Sequence, residues 1–159
     1  MKIRIICVGK LKERFYEDAV SEFRKRLSRY TETEIVEIAD ERAPERLSAA
    51  ELELVKAAEG SRILSRIADT DTVIALDIAG IQLSSTELAA KLGDYMVGGK
   101  SRLVFVIGGS NGLSGEVLAR AGLRLSFSKL TFSHQIFRVM LLEQLYRAFK
   151  IISGEPYHK

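Results

Sequence analysis

The chain has 159 residues, of which 47% are hydrophobic and 28% charged, a composition that excludes disorder along most of its length. No apolar run reaches the ~20 residues that a membrane-spanning helix needs, so no membrane segment is predicted. The single cysteine, Cys7, lies in an apolar run, and because it has no internal disulfide partner we expect a reducing, cytoplasmic location. One domain over residues 1–159 is expected, since domains usually contain roughly 100–200 residues.

The net charge of +3 is unevenly distributed. Residues 1–31 contain nine lysines and arginines against four acids, whereas residues 32–59 contain three against nine. Residues 60–122 are balanced, and residues 123–159 again carry six basic residues against two acids. Two basic ends that meet in the fold would present a surface for a polyanion. The alternative is that the acidic stretch is one solvated helix face without functional meaning.

Hydrophobic periodicity and turn residues predict alternating strands and helices. The predicted strands are residues 2–8, 33–39, 72–78, 102–107 and 123–127. The predicted helices are residues 11–29, 48–67, 84–98, 113–120 and 133–152. Ser48 with Glu51, and Ser84 with Glu87, form capping-box patterns that open two of these helices, and Gly80 is expected to end the third strand. This alternation is typical of an α/β fold with a mostly parallel sheet and helices on both faces.

The most apolar strand runs directly into a glycine-rich segment, VIGGSNGLS, which spans Val106 to Ser114. In open α/β sheets, ligands bind at the carboxyl ends of strands, where glycines let them approach the backbone closely. A tight turn without a ligand is the alternative interpretation. The segment does not match the dinucleotide-binding fingerprint. It does not match the P-loop either, because the position of the P-loop's second glycine is occupied by Leu113 and the lysine that should follow is absent. A nucleotide-hydrolysing enzyme is therefore disfavoured.

Two further segments carry candidate functional groups. The hydroxyl-rich segment LSFSKLTFSHQ, residues 125–135, places His134 in the first turn of the last helix, where free N–H groups hold an anion or are simply capped by Ser or Thr. The tail GEPYHK places Tyr157 beside His158. Because the two histidines have no metal-ligand spacing, no metal site is predicted. The absence of a G-x-S-x-G motif also argues against a serine nucleophile.

Long motifs in the same order across nearly the whole chain resemble the RlmH family: MKIRIICVGKLK, VFVIGGSNGL, LSFSKLTFSHQIFRVMLLEQLYRAFKI and the closing YHK. Members of that family are SPOUT-class methyltransferases that modify N3 of a pseudouridine in the 23S ribosomal RNA of the large subunit. One departure is Ser133, where the family usually has proline; serine can cap the helix instead. The resemblance implies an enzyme acting on the large subunit or the assembled ribosome. A non-catalytic RNA- or ribosome-binding protein on the same fold is the alternative.

The resemblance also implies S-adenosylmethionine as methyl donor, a deep C-terminal trefoil knot and a homodimer. The last helix suits a dimer, because it is apolar on almost every side and needs a second surface to cover it. The residues implied for binding the cofactor are Leu76, Gly108, Ser126, Phe127, Ser128, Lys129, Leu130 and Thr131. Those implied for catalysis are His134, Arg138, Tyr157, His158 and Lys159.

The chemistry of the base assigns roles to these candidates. The imide nitrogen of a pseudouridine carries a proton at neutral pH, so its methylation requires a group that removes or polarises this proton. His134, His158 and Tyr157 are candidates for that group, and Tyr157 is also a candidate for stacking on the base. The candidates for holding phosphate or the edge of the base are Arg138, Arg147 and Lys159. We expect the tail residues, rather than His134, to contact the base directly.

Overall fold

A computed structural model describes all residues, 1–159, and contains five strands and five helices. In chain order they are β1 (Lys2–Val8), α1 (Arg14–Leu27), β2 (Glu32–Ile38), α2 (Ala49–Leu64), β3 (Thr72–Gln82), α3 (Ser85–Val97), β4 (Arg102–Ile107), α4 (Gly115–Arg120), β5 (Leu123–Ser126) and α5 (His134–Ile152). The strands form one sheet in the order β2-β1-β4-β3-β5, and every neighbouring pair is parallel. The predicted α/β fold with a parallel sheet is confirmed.

Helices cover both faces of the sheet, as the alternating pattern predicted. Helices α1, α3 and α5 pack on one face around Phe105 and Leu141, whereas α2 and α4 pack on the other around Val104 and Val117. Successive residues of β4 therefore point to opposite cores, as the period of two in a strand requires. Strands β1 and β4 are buried on both faces, which explains why their sequences are continuous apolar runs.

Serine caps fix where four helices begin, among them α4, where the hydroxyl of Ser114 accepts from the N–H of Val117 at 3.3 Å. The two predicted capping boxes are present: the hydroxyls of Ser48 and Ser84 accept from the backbone N–H three residues on, and the glutamate there accepts from the serine N–H. Ser133 caps α5 in the same way by accepting from the N–H of Ile136 at 3.5 Å. Ser133 therefore opens the last helix, and His134 becomes its first residue.

The prediction that Gly80 ends the third strand is wrong. Strand β3 continues to Gln82, and its pairing with β5 shifts register between Leu76 and Ile81. A Cβ atom on Gly80 would lie 2.5 Å from the carbonyl oxygen of Arg124. The glycine is thus required because the backbone of β5 passes directly against it, which is one of the recognised uses of glycine within a strand.

The last helix is only partly covered within one chain. Leu141, Leu145 and Phe149 are fully buried, but Ile136 remains 39% exposed. An apolar groove of about 590 Å³ runs beside it, between α1, α3 and α5. None of the helices combines the length and apolar character needed to cross a membrane.

Candidate active site

A cleft of about 600 Å³ opens at the carboxyl end of β4, within the range of about 300–1,000 Å³ typical of small-molecule sites. One wall is Leu76, the last residue of β3 that pairs with β4, together with Asp77 and Ile78. A second wall is the glycine-rich loop, residues 108–113, and the third comes from residues 125–134. Three segments that are distant in the sequence therefore meet because parallel strands end at the same edge of the sheet.

Most of the residues expected to bind the cofactor line this cleft. They are Leu76, Gly108, Ser126, Phe127, Ser128, Leu130 and Thr131. Lys129 is exposed and is not among the lining residues. His134, expected as a catalytic residue, also lines the cleft.

Sequence reasoning missed other parts of the wall, including Asp77 and Phe137, whereas Asn111 and Phe132 lie within the two candidate segments. Asp77 had a usable signal, because it is the one acidic residue in the apolar run TVIALDI. In the structure its carboxylate accepts from Nε of Arg124 at 2.8 Å, which ties β3 to β5 beside the cleft. Phe137 carried no such signal, since an aromatic residue in an apolar helix more often serves packing.

The glycine-rich loop leaves no space for side chains beneath it. The N–H of Gly112 donates to the carbonyl of Gly109 at 3.1 Å, and Gly112 has a φ of +81°, in the left-handed region that favours glycine. A Cβ atom on Gly108 would lie 3.1 Å from Cδ2 of Leu113 and 3.2 Å from the carbonyl carbon of Gly112. The glycines of this loop therefore bring its backbone to the cleft, whose lining also includes Ser110, Asn111 and Leu113.

The opposite wall is a loop that its own serines hold in shape. The hydroxyl of Ser126 donates to the carbonyl of Ser128 at 3.0 Å, and the hydroxyl of Ser128 accepts from the N–H of Leu130 at 3.0 Å. The rings of Phe127 and Phe137 pack 4.9 Å apart behind it. Leu130 is 71% exposed, so this loop offers an apolar side chain with nothing covering it at the mouth of the cleft.

His134 connects the cleft to the loop after β1. Gly9 has a φ of +88°, and a Cβ atom there would lie 3.0 Å from Cε1 of the imidazole. Burial, together with the positive charges of Arg138 and Lys12, lowers the pKa of His134 below its usual value. The ring is therefore neutral at neutral pH and able to accept a proton. Its Nδ1 atom is buried and has no hydrogen-bond partner.

Arg138 lies one helical turn further along α5 and has no exposed surface. Its Nη2 donates to the carbonyl of Gly9 at 3.1 Å, and its Nη1 lies 3.5 Å from a carboxylate oxygen of Glu37. Within this chain the guanidinium is enclosed and anchors the loop on which the imidazole of His134 rests. Its contact with phosphate or a base edge stays a prediction.

The C-terminal tail packs on α5, away from the cleft of its own chain. The hydroxyl of Tyr157 donates to Glu143 at 3.1 Å, and the guanidinium of Arg147 lies 4.7 Å from the centre of the Tyr157 ring. Nδ1 of His158 is 3.4 Å from Nη1 of Arg147, and Lys159 is exposed. None of these residues lines the cleft. Within one chain the structure thus brings His134 to the cleft walls but leaves the tail candidates apart from them.

Burial and the adjacent Glu143 carboxylate raise the pKa of Tyr157. Its hydroxyl therefore stays protonated and acts as a hydrogen-bond donor at neutral pH. No group of three or more His, Cys, Asp or Glu side chains is arranged to hold a metal ion.

A parallel α/β sheet with a ligand-sized cleft at the carboxyl ends of its strands is a common setting for binding a small molecule. A family model described as "Predicted SPOUT methyltransferase" matches residues 1–158. The chain therefore belongs to the SPOUT methyltransferase family, whose members use S-adenosylmethionine.

Solved structures resemble the chain at low sequence identity. A probable methylase family protein from Haemophilus influenzae Rd KW20 aligns with a TM-score of 0.57 and 16% identity, over 99% of this chain and 70% of that protein. A putative methyltransferase from Legionella pneumophila, solved in complex with bound S-adenosylmethionine, aligns with a TM-score of 0.48 and 13% identity, over 94% of this chain and 66% of that protein. The first of these similarities shows a shared fold.

Proposed function

We propose that this protein is a cytoplasmic, homodimeric methyltransferase that transfers a methyl group from S-adenosylmethionine to N3 of a pseudouridine in the ribosomal RNA of the large subunit. The observation that carries the proposal is the cleft itself, because three segments expected to bind the cofactor meet there. The family match supports the methyl-transfer chemistry. The RNA substrate rests on the sequence motifs and on the basic ends of the chain.

The residues of the cleft fit the proposed cofactor. Leu76 and Leu130 offer apolar surfaces for the faces of an adenine, while backbone groups of the two loops offer partners for its polar edge. Gly108 lines the cleft without a side chain, so a ligand can lie directly against its backbone. When bound, S-adenosylmethionine supplies an electrophilic methyl group attached to a positively charged sulfur.

The chain's own residues then have to orient the base and move its proton. We assign His134, neutral and at the edge of the cleft, to hold or accept a proton near the base. Arg138 acts as a positioning residue, because it holds Gly9 and thereby the surface against which His134 packs. Tyr157, His158 and Lys159 are proposed to contact the base and its phosphate from the tail of the partner chain.

A dimer through α5 accounts for the position of the tail. The apolar groove beside α5 is lined by Ile136, Val139 and Met140, and also by Glu143, the residue that binds Tyr157. A second copy that covered this groove would bring its own groove and tail close to the cleft, since Phe127 borders both the groove and the cleft. A two-fold arrangement of this kind gives each cleft the tail of the other chain.

We also propose the trefoil knot that the sequence resemblance implies, with which the path of the chain after β4 is compatible. The chain crosses to the far side of β3 through α4 on one face of the sheet, and it leaves β5 for α5 on the opposite face. The loops before α4 and before α5 meet at the cleft. A knot that held these two loops together would fix the cofactor site in one shape.

The dimer predicts a specific effect of Val139→Glu. An unpaired carboxylate in the groove would have to lose its water, at a cost of several kcal/mol, so association should weaken by at least about 100-fold. Sedimentation at micromolar concentration should give twice the chain mass for the parent and the single chain mass for the variant. Val97→Glu is the matched control, because Val97 is 92% exposed at the end of α3. A parent protein that sediments as a monomer would contradict the proposed dimer.

The substrate is tested by mass spectrometry of ribosomal RNA nucleosides from cells with and without this protein. We expect one methylated pseudouridine to disappear in its absence and to return when ribosomes are treated with the purified protein and S-adenosylmethionine. Calorimetric titration with S-adenosylmethionine distinguishes the proposed enzyme from the alternative, a non-catalytic RNA-binding protein. The alternative would bind no methyl donor. An unchanged nucleoside profile would reject the proposed substrate.

A further inference from the structure

The loop after β1 contacts the first two turns of α5 at three points. The backbone N–H of Lys12 donates to Oε1 of Gln135 at 2.8 Å, and Nη2 of Arg138 donates to the carbonyl of Gly9 at 3.1 Å. The ring of His134 fills the space beside Gly9. Because His134 also lines the cleft, this fastening fixes the loop at the edge of the cleft.

The fixed loop carries two exposed lysines, Lys10 and Lys12, and Lys129 is exposed in the segment that forms the facing wall. We call these three residues the basic rim. Twelve of the 24 lysines and arginines have an acidic partner within 4 Å. None of the three lysines of the basic rim has an acidic partner within this distance, so their charges are available to a ligand.

Acids around this edge of the cleft include Glu13, which directly follows Lys12, and Asp77 in the cleft wall, which is paired with Arg124. Two further acids lie on the β2 side. Glu37 and Asp40 both contribute to the field at His134. Glu37 is already paired with the buried guanidinium of Arg138. An anionic chain therefore meets attractive charge if it crosses the mouth of the cleft from the loop after β1 towards Lys129, and meets repulsion if it turns towards β2.

We propose that the basic rim binds backbone phosphates of single-stranded RNA on either side of the nucleotide that enters the cleft, an inference that rests on the proposed RNA substrate. A base must leave its stack before an enzyme can act on it in a closed pocket, and phosphates on both sides then need to be held while it is inserted. Lysines at the mouth do this without reading sequence, because phosphate contacts position the strand whereas base contacts specify it. The rim thus sets the path of the strand, and the cleft selects the base.

The test compares the double variant Lys10→Gln/Lys12→Gln with a control double variant, Lys91→Gln/Lys100→Gln. All four lysines are exposed and free of acidic partners, but Lys91 lies on α3 and Lys100 just before β4. The binding probes are two fluorescein-labelled single-stranded RNA oligonucleotides of different sequence. For the rim variant we expect both to bind about 10-fold more weakly, and the slope of log affinity against log salt to fall by about 0.7 per lysine. Lys129→Gln should have about half this effect.

Activity provides a second readout. With ribosomes as substrate, the rim variant should raise KM, and its titration with S-adenosylmethionine should be unchanged. Equal binding by the rim variant and the parent would overturn the proposal, as would equal losses in the rim and control variants. A parent that binds the oligonucleotides through the rim but methylates no ribosomal RNA would reject the proposed function and leave the rim as a phosphate-binding surface.

Discussion

Replacing Gly108 with valine is expected to weaken the binding of S-adenosylmethionine by at least about 30-fold. The added Cβ would lie 3.1 Å from Cδ2 of Leu113 and 3.2 Å from the carbonyl carbon of Gly112, closer than packed carbon atoms normally approach. The loop must therefore shift, and overpacking of this kind costs about 2 kcal/mol, which corresponds to about 30-fold in affinity. Calorimetric titration measures the loss directly.

Gly115→Val is the matched control for this variant. Gly115 is the first residue of α4, close in sequence to the same loop, but a Cβ added there meets nothing within 4 Å. The Gly115→Val protein should bind the cofactor as the parent does. Thermal melting of both variants shows whether weaker binding reflects a change in the site or loss of the fold. We expect the fold to remain intact, since β4 ends before Gly108. Parental affinity in a folded Gly108→Val protein would mean that the cofactor lies elsewhere.

The order of strands and helices could be predicted from the sequence, because each element carries its own local signal. The apolar runs of β1 and β4 and the serine caps of α2 and α3 depend on neighbours within a few residues. Gly80 was misread because its role depends on Arg124, which lies on a different strand. A glycine that ends a strand and a glycine that admits another backbone look the same in a sequence.

The candidate site was predicted unevenly for the same reason. The glycine-rich loop and the segment before α5 are marked by their own residues, and both line the cleft. The burial of Arg138 could not be predicted, because an arginine is normally expected to be exposed. Its partners, the carbonyl of Gly9 and the carboxylate of Glu37, lie far from it in the sequence. The tail could be recognised by its motif, but its distance from the cleft follows only from the packing of α5.

Deleting residues 156–159 is expected to reduce methyl transfer to ribosomes by at least about 100-fold, the lower end of what general acid–base groups contribute. Stability should change little. The truncated chain keeps Glu155, whose carboxylate accepts from Lys150 at 2.6 Å and from Tyr30 at 3.0 Å. The Tyr157–Arg147 contact that is lost is worth about 1 kcal/mol, or about 2–4 °C in melting temperature. Binding of S-adenosylmethionine should persist, because no tail residue lines the cleft; its loss would mean that the tail closes over the cofactor.

Mixed dimers show whether the tail acts at the cleft of its own chain or at the cleft of its partner. A truncated chain has an intact cleft and no tail, whereas a Gly108→Val chain has an intact tail and a blocked cleft. If the tail acts on the partner, co-expression of the two chains with different tags should restore about a quarter of the parental activity, because about half of the dimers are mixed and each has one complete site. If the tail serves its own cleft, no dimer has a complete site and the mixture stays inactive. Full activity of the truncated protein alone would remove the tail from catalysis and leave proton transfer to His134, which lies at the edge of the cleft in every chain.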